Sequence, residues 1–431
     1  MERALVPARI LLWVAGAAVP AAGLGLLALS AEAQEGGTQL TFGVSQRLEA
    51  IANAELDADS RGTTRQASTS LSFNAVTQTR LDRLAFGASG ALRVVDDPAG
   101  GTRFEADTPR LSFSYGRETP AARLALRASY SETEIEFLRL EDLLDPDVIL
   151  TPEDIENLRG TGTRRNLSAT ASLDWGLDDP LGFGLTATVN RLRYSDTGGD
   201  LFDSDSDRES LSARTRLRLS PVLDATASLG FSRFDDTDPA NDPRDTTSLD
   251  LGLALDRPLG ALTADLSATD TADGTRLGFA IGRSYALPAG RLSASLGLTR
   301  AAEGETALTG SLDWRQDLPQ GAAVTARVER NVTSGTDDTD RVVTLASIGY
   351  DRPLGAAGSL GLDLSFLDSR TPATGDSVSD ASLRATYSRA LTPDWALDLG
   401  LTRRLRDSDS AGRADSTAAF VTLGRSFDFR P

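Results

Sequence analysis

Residues 291–299, RLSASLGLT, contain the pattern that decides the fold. Leu292, Leu296 and Leu298 alternate there with polar or small residues. A period of two residues is that of a β-strand with one apolar and one polar face. The alternation returns in 122–131, 166–175, 223–232, 249–256, 261–269, 307–314, 359–366, 381–388 and 395–402. The sequence therefore predicts an all-β protein.

The connections between these segments alternate in kind. The short ones mostly carry proline, which stops a strand and favours a turn; they are 118–120, 178–180, 220–221, 257–260, 287–290, 318–321, 352–355 and 391–394. The others are mostly longer and rich in Asp, Gly and Thr, as in 196–208, 235–245, 334–340, 370–378 and 407–413. The predicted strand centres are residues 46, 70, 88, 110, 126, 170, 188, 214, 228, 251, 265, 280, 296, 310, 327, 346, 364, 385, 400 and 420.

After residue 33, no apolar run approaches the ~20 residues that a membrane helix needs. Because backbone groups in lipid must be hydrogen-bonded internally, any crossing by 34–431 must use the strands of a closed barrel. The predicted fold is a transmembrane antiparallel up-and-down β-barrel of about 20 strands (range 18–22), with one helical or irregular loop insert, 132–163. An even strand count places both ends on one side.

Aromatic residues gather at the strand ends. Eight lie beside short turns or the C-terminus, on the aliphatic side of their strands: Tyr115, Trp175, Tyr285, Trp314, Tyr350, Tyr387, Trp395 and Phe427. Aromatic belts at the edges of a lipid-facing band are typical of membrane barrels. We therefore predict a membrane girdle. A soluble β-sandwich or solenoid is the alternative, but it gives no reason for aromatic residues to avoid strand centres.

Residues 1–33 have the features of a secretory signal peptide. Arg3 and Arg9 precede an apolar stretch over 10–30, and Ala31-Glu32-Ala33 supplies small residues for cleavage. The expected domain organisation is a signal peptide, 1–33, followed by the barrel, 34–431. An uncleaved anchor is the alternative, because the apolar stretch is long for a signal.

The composition excludes several kinds of chemistry. The chain has 431 residues, no His, no Cys and no Lys, and a net charge of −18. Without these residues there is no imidazole base, no thiolate and no Schiff-base lysine. The net negative charge also argues against nucleic-acid binding, because contact with the phosphates of a nucleic acid needs a basic surface. We expect no enzymatic activity, catalytic residue, metal, cofactor or nucleic-acid partner.

Together, these patterns resemble those of bacterial outer-membrane β-barrel proteins of porin-like type. The Lys-free, Arg-rich and Asp-rich usage is similar to that of alphaproteobacterial barrels. The resemblance implies a Gram-negative outer membrane after signal cleavage. It also implies contact with the lipid bilayer, lipopolysaccharide and the outer-membrane assembly machinery. One departure is that Phe427 and Phe429 precede Arg430-Pro431, whereas such barrels often end on an aromatic residue.

The insert 132–163 combines aliphatic residues with many acids, including Glu141, Asp142, Asp145 and Asp147. In position and character it resembles the loop that folds into general porins and narrows their channel. Five arginines on the polar sides of strands are candidates for the facing wall: Arg123, Arg127, Arg214, Arg216 and Arg218. The alternative is a cap over the mouth, with these arginines solvated or paired.

Six aspartates form another candidate group, on the polar sides of strands near the short turns: Asp174, Asp224, Asp256, Asp313, Asp363 and Asp398. A ring of carboxylates at a pore end would favour cations. The alternative is hydration and pairing with arginines of the turns, such as Arg257 and Arg352.

The predicted function is a channel for diffusion of small hydrophilic solutes, selective by lumen size and charge. Two alternatives stay open. One is a non-conducting surface or structural barrel that binds partners through Asp-rich loops, and the other is an export conduit for an acidic polymer. The solute and a homo-oligomeric state are also open.

Overall fold

The computed structural model describes residues 37–59, 62–98, 100–137, 162–197, 205–236, 243–272, 274–302, 304–334, 340–372, 374–409 and 412–430. The predicted signal peptide and most of the insert therefore lie outside the described residues. Within them, helix is limited to two short 3-10 turns, Ile135–Phe137 and Pro319–Gly321. No helix of this part of the chain is long and apolar enough to cross a membrane.

Twenty β-strands form in the described residues, and each predicted centre falls within one of them. They are β1 (Gly37–Ala52), β2 (Thr63–Gln78), β3 (Asp82–Asp97), β4 (Gly101–Glu118), β5 (Ala122–Glu134), β6 (Thr163–Trp175), β7 (Leu181–Ser195), β8 (Ser206–Ser220), β9 (Leu223–Asp236), β10 (Arg244–Arg257), β11 (Gly260–Thr271), β12 (Gly274–Leu287), β13 (Gly290–Arg300), β14 (Thr306–Asp317), β15 (Ala323–Ser334), β16 (Asp340–Pro353), β17 (Gly358–Arg370), β18 (Ser377–Ala390), β19 (Trp395–Ser408) and β20 (Gly412–Phe429). The predicted count is confirmed.

Every strand pairs antiparallel with its neighbours in sequence, and β1 also pairs with β20. This last pairing runs from Leu40 opposite Phe429 to Ala52 opposite Thr417. The sheet therefore closes on itself and leaves no edge of unpaired backbone groups. The predicted up-and-down barrel is confirmed.

The two ends of the barrel differ in their connections. At one end, tight turns such as 258–259 and 288–289 join successive strands, and the start of β1 and the end of β20 lie at this end too. We call it the short-turn side. The opposite, long-loop side carries the connection between β5 and β6, which spans 135–162. Proline and glycine thus mark the turns, as the sequence predicts.

Side chains alternate between the two faces of the closed sheet. The aliphatic face is open to the outside, and Leu296 on it is 59% exposed. The opposite face carries small and polar residues that crowd one another, and Ser382 there is only 2% exposed. Because the register couples neighbouring strands, this division continues around all twenty. The aliphatic face is the outer one, and the polar face lines the lumen.

Pro109 lies within β4 rather than ending it. Ser89 of β3 is opposite Arg110, whereas Ala91, two residues on, is opposite Asp107. β4 thus has one extra residue at this point, which is a β-bulge. A bulge accommodates proline because proline has no N–H for the ladder.

Candidate functional site

The lumen wall is the surface on which the predicted site residues meet. The register places all five predicted arginines, on β5 and β8, and all six predicted aspartates on the lumen face. With strands ~4.8 Å apart and tilted by ~40°, twenty of them enclose a barrel about 40 Å across between backbones. The side chains of such a wall are too short to fill the interior.

The eight predicted girdle residues lie on the outer face, towards the short-turn side. Trp175 stacks on Phe183 of the next strand, with ring centres 5.5 Å apart. The Tyr115 hydroxyl donates a hydrogen bond to Asp82, at 2.8 Å. The rings thus stand at one rim with polar groups towards the strand ends, as an interfacial belt requires. Their contact with lipid stays a prediction.

Two of the five predicted arginines bind neighbouring parts of the wall. The Nη2 group of Arg216 donates to the carbonyls of Gly176, Leu177 and Asp179 at 2.9, 2.9 and 3.1 Å. These hydrogen bonds therefore stabilise the turn between β6 and β7. Arg218 lies beside Asp224, with 3.8 Å between Nε and Oδ1. Arg218 thus has an acidic neighbour, whereas Arg216 keeps its full charge but is held against the turn.

The other three differ in how they are paired. Arg123 forms an ion pair with Glu118 at 2.8 Å. Arg127 and Arg214 are exposed to the lumen, and neither makes an ion pair with a residue in the described ranges. Of the five, these two guanidinium groups are exposed and have no protein partner in the described ranges.

Four of the six predicted aspartates lie directly opposite a lumen arginine on the adjacent strand. The pairs are Asp174 with Arg123, Asp224 with Arg218, Asp313 with Arg327 and Asp363 with Arg384. Asp256 is opposite Ala261, and Asp398 is opposite Ser388 and Thr422. The short-turn side of the lumen therefore carries both signs of charge rather than a ring of carboxylates alone.

The alternative pairing of these aspartates with Arg257 and Arg352 is wrong. Arg257 is opposite Gly260, one residue out of phase with Asp256, and Arg352 is opposite Leu360, three residues from Asp363 and so out of phase with it. Side chains of successive strand residues point to opposite faces. Both arginines therefore face outwards, and four of the six lumen aspartates lie opposite other arginines on adjacent strands.

The insert begins later than predicted and turns inwards. β5 continues to Glu134, so residues 132–134 are strand. Ile135 is 1% exposed and packs with Leu192 and Tyr194, which face the lumen from β7. The ring of Phe137 lies under Arg93, a lumen residue of β3. The described start of the insert therefore enters the lumen. The predicted constriction acids Glu141, Asp142, Asp145 and Asp147 lie outside the described residues.

A contact between one phenylalanine and two arginines of the lumen wall was not predicted from the sequence. Phe420 is 7% exposed and lies under two guanidinium groups, with Arg47 Cζ 3.7 Å and Arg384 Cζ 5.3 Å from its ring centre. Arg47 also pairs with Glu49 at 2.7 Å. The signal was available, because Phe420 interrupts the polar side of β20.

A buried ion pair joins β18 and β19 within the same wall. Arg406 Nη1 lies 2.8 Å from Asp380 Oδ2, and both side chains are 3% exposed. The two residues are direct cross-strand neighbours. Their position on the polar side was visible in the sequence, but their pairing depends on register. Elsewhere in the described part, no group of three or more His, Cys, Asp or Glu residues could hold a metal ion.

Comparison with known proteins bears on the fold. No family model and no curated protein matches the sequence. The ferric enterobactin receptor PfeA of Pseudomonas aeruginosa is 11% identical, with 91% of this chain and 80% of that chain covered and a TM-score of 0.50. The siderophore receptor PirA of Acinetobacter baumannii is 10% identical, with 92% and 81% covered and a TM-score of 0.50. OccK7 (OpdD) of Pseudomonas aeruginosa is 11% identical, with 92% and 100% covered and a TM-score of 0.43.

At these identities the likeness concerns the fold alone. The closed twenty-strand sheet and its aliphatic outer face agree with this likeness in fold. The similarity to alphaproteobacterial barrels stays a prediction. In fold, the chain is a closed antiparallel β-barrel of twenty strands, similar to that of bacterial outer-membrane receptors.

Proposed function

We propose that this barrel is a passive channel for small hydrophilic solutes across the outer membrane. The observation that carries the proposal is the lumen wall, where polar and small side chains recur on every strand of a closed ring. A barrel about 40 Å across is not filled by such side chains, so water occupies the space that loops leave free.

The inward turn Ile135–Phe137 supports a narrowing on the side of β3 to β7. The turn packs on the lumen faces of β3 and β7, at Arg93 and Leu192. We keep within the proposal the idea that the acids of the insert face the wall at Arg214, whose guanidinium group carries permanent charge. Opposed charges of this kind would set a transverse field across the narrow part.

The wall chemistry favours weak ion selectivity. Cross-strand pairs such as Asp224–Arg218 place both signs at the same height. Solute size and the lumen charges that have no partner of opposite sign then decide passage. The proposal includes cleavage of the signal peptide and contact with lipopolysaccharide and the assembly machinery. It leaves a homo-oligomer open and involves no enzymatic step.

Conductance tests this proposal. Full-length protein expressed in a Gram-negative host and purified from outer membranes is added to a planar bilayer in KCl. We expect stable steps whose size rises with the KCl concentration, and swelling of liposomes in small sugars. The control is the same preparation from cells without the gene. Silent bilayers and liposomes that do not swell would contradict a channel and favour a surface barrel.

A further inference from the structure

The lumen wall between β2 and β7 contains a cavity of about 550 Å³. This volume lies within the ~300–1,000 Å³ typical of small-molecule sites. Its lining includes six serine and threonine residues, two asparagines (Asn74 and Asn190) and one charged residue, Arg127. None of the described lining residues is a carboxylate. We call this cavity the β2–β7 niche.

The polar lining suits a solute with many hydroxyl groups. Hydroxyl and amide side chains both donate and accept hydrogen bonds, so together they can satisfy a polyhydroxylated molecule in several orientations. Thr170 and Thr188 show that neighbouring hydroxyls of the niche are close enough to share a ligand, because their oxygens are 3.4 Å apart.

Arg127 favours a ligand that carries a negative charge. Its guanidinium is permanently charged and makes no ion pair within the described ranges. A guanidinium binds a carboxylate or a phosphate through two parallel hydrogen bonds, which adds geometric specificity. With no acid in the lining, nothing there competes with an anionic ligand.

The inward turn lies beside the niche. Leu192, which contacts the inward turn, is two residues nearer the long-loop side than Asn190 of the niche. Arg93, the other contact of that turn, is six residues nearer the same side than Gly87. The turn Ile135–Phe137 therefore lies above the niche on the long-loop side.

Gly87 keeps the niche open. A Cβ atom at this position would lie 2.6 Å from Ser112 Oγ and 3.1 Å from Asn74 Oδ1. Any side chain here would therefore occupy the space between the polar groups of the niche.

We propose that the β2–β7 niche binds anionic sugars, which combine several hydroxyl groups with one carboxylate or phosphate. The inference rests on the proposed function, because the solute reaches the niche through the lumen. Arg127 binds the anionic group, and the serine, threonine and asparagine side chains bind the hydroxyls.

Blockade of single-channel current tests the niche, with gluconate, glucose 6-phosphate and glucose as probes. We expect one or both anionic sugars to halve the current at a concentration at least tenfold below that of glucose. Gluconate alone or glucose 6-phosphate alone would identify the anionic group as carboxylate or phosphate. Arg127→Gln should remove the tenfold difference. Arg291→Gln is the control, because Arg291 faces the lumen from β13 and has no ion pair in the described ranges.

Gly87→Leu should abolish blockade by filling the niche. Gly282→Leu is its control. Gly282 also faces the lumen, is likewise five residues from the short-turn end of its strand, and its added Cβ would lie 2.5 Å from Thr263 Oγ1. Blockade unchanged by both Arg127→Gln and Gly87→Leu would overturn the niche while leaving the channel intact.

Saturation-transfer NMR of the detergent-solubilised full-length protein separates the two proposals, because it reports binding of gluconate without conduction. Binding that depends on Arg127 in a protein that never conducts would overturn the proposed function and support the niche. Open channels whose protein binds gluconate no better than glucose would overturn the niche alone.

Discussion

The guanidinium carbon of Arg93 lies 4.1 Å from the ring centre of Phe137. Arg93 faces the lumen from β3, whereas Phe137 follows β5, so the chain passes back over β4 inside the barrel. A cation over an aromatic ring is attracted by about 0.5–2 kcal/mol. The contact therefore fixes the direction in which the insert leaves the wall.

Cross-linking tests this direction. The chain contains no cysteine, so introduced pairs react without background. We expect Phe137→Cys with Arg93→Cys to be joined by a short bis-maleimide in isolated outer membranes, because both positions lie on the lumen side. Leu92→Cys is the matched control, since Leu92 points to the outer face. Equal cross-linking of Phe137 to both positions would contradict an inward turn.

Arg214 and Arg216 of β8 should differ in their effects on ion preference and on stability. We expect Arg214→Ala to shift reversal potentials in a KCl gradient towards cation preference, because it removes an unpaired positive charge. Arg216→Ala should shift the preference less, because its guanidinium is held against the turn, and should lower the unfolding free energy by about 1–3 kcal/mol, because three carbonyls of that turn lose their donor. Measurements of reversal potential and urea unfolding on both variants decide this. A larger selectivity change in Arg216→Ala would contradict the assignment.

Charge should be tolerated on one face of β13 and not on the other. Leu296 faces outwards, so Leu296→Arg should lower the free energy of unfolding in lipid vesicles by about 2–4 kcal/mol. Ser293→Arg places the same side chain in the lumen beside Asp313, and we expect a change under about 1 kcal/mol. Urea titration of both variants gives the comparison. Equal losses of unfolding free energy in the two variants would contradict a lipid-facing outer face and a water-facing lumen face.

The buried pair Asp380–Arg406 should be far more sensitive than an exposed one. Arg406→Leu leaves a buried carboxylate and should cost about 3–5 kcal/mol of unfolding free energy. The double variant with Asp380→Leu should recover much of this loss. Arg403→Leu serves as the control, because Arg403 pairs with Asp415 at 2.7 Å on the exposed outer face and should cost under about 1 kcal/mol. A small effect of Arg406→Leu would show that the pair is hydrated.

Sequence reasoning recovers the strands because their signals are local. Alternation such as that of 291–299, and turns such as Pro288-Ala289, involve residues close together in the chain. The pairs between lumen acids and arginines are different. Asp363 meets Arg384 only through the register of β17 and β18, which a reading of single strands does not supply.

The inward turn was harder to predict because it depends on packing between distant strands. Its sequence signal is weak but present, since Leu192 and Tyr194 lie on the polar side of β7 near a loop. Phe420 on β20 is a similar exception. Apolar residues on the lumen side of a barrel strand therefore indicate places where something packs from within.

Thiol labelling at two adjacent positions of β13 tests the central claim most directly. Ser295→Cys lies on the lumen face and Leu296→Cys on the outer face of the same strand. In isolated outer membranes, a charged, membrane-impermeant thiol reagent should label position 295 and leave position 296 unmodified until detergent is added. Equal labelling of both positions in intact membranes would contradict a barrel with lipid outside and water inside.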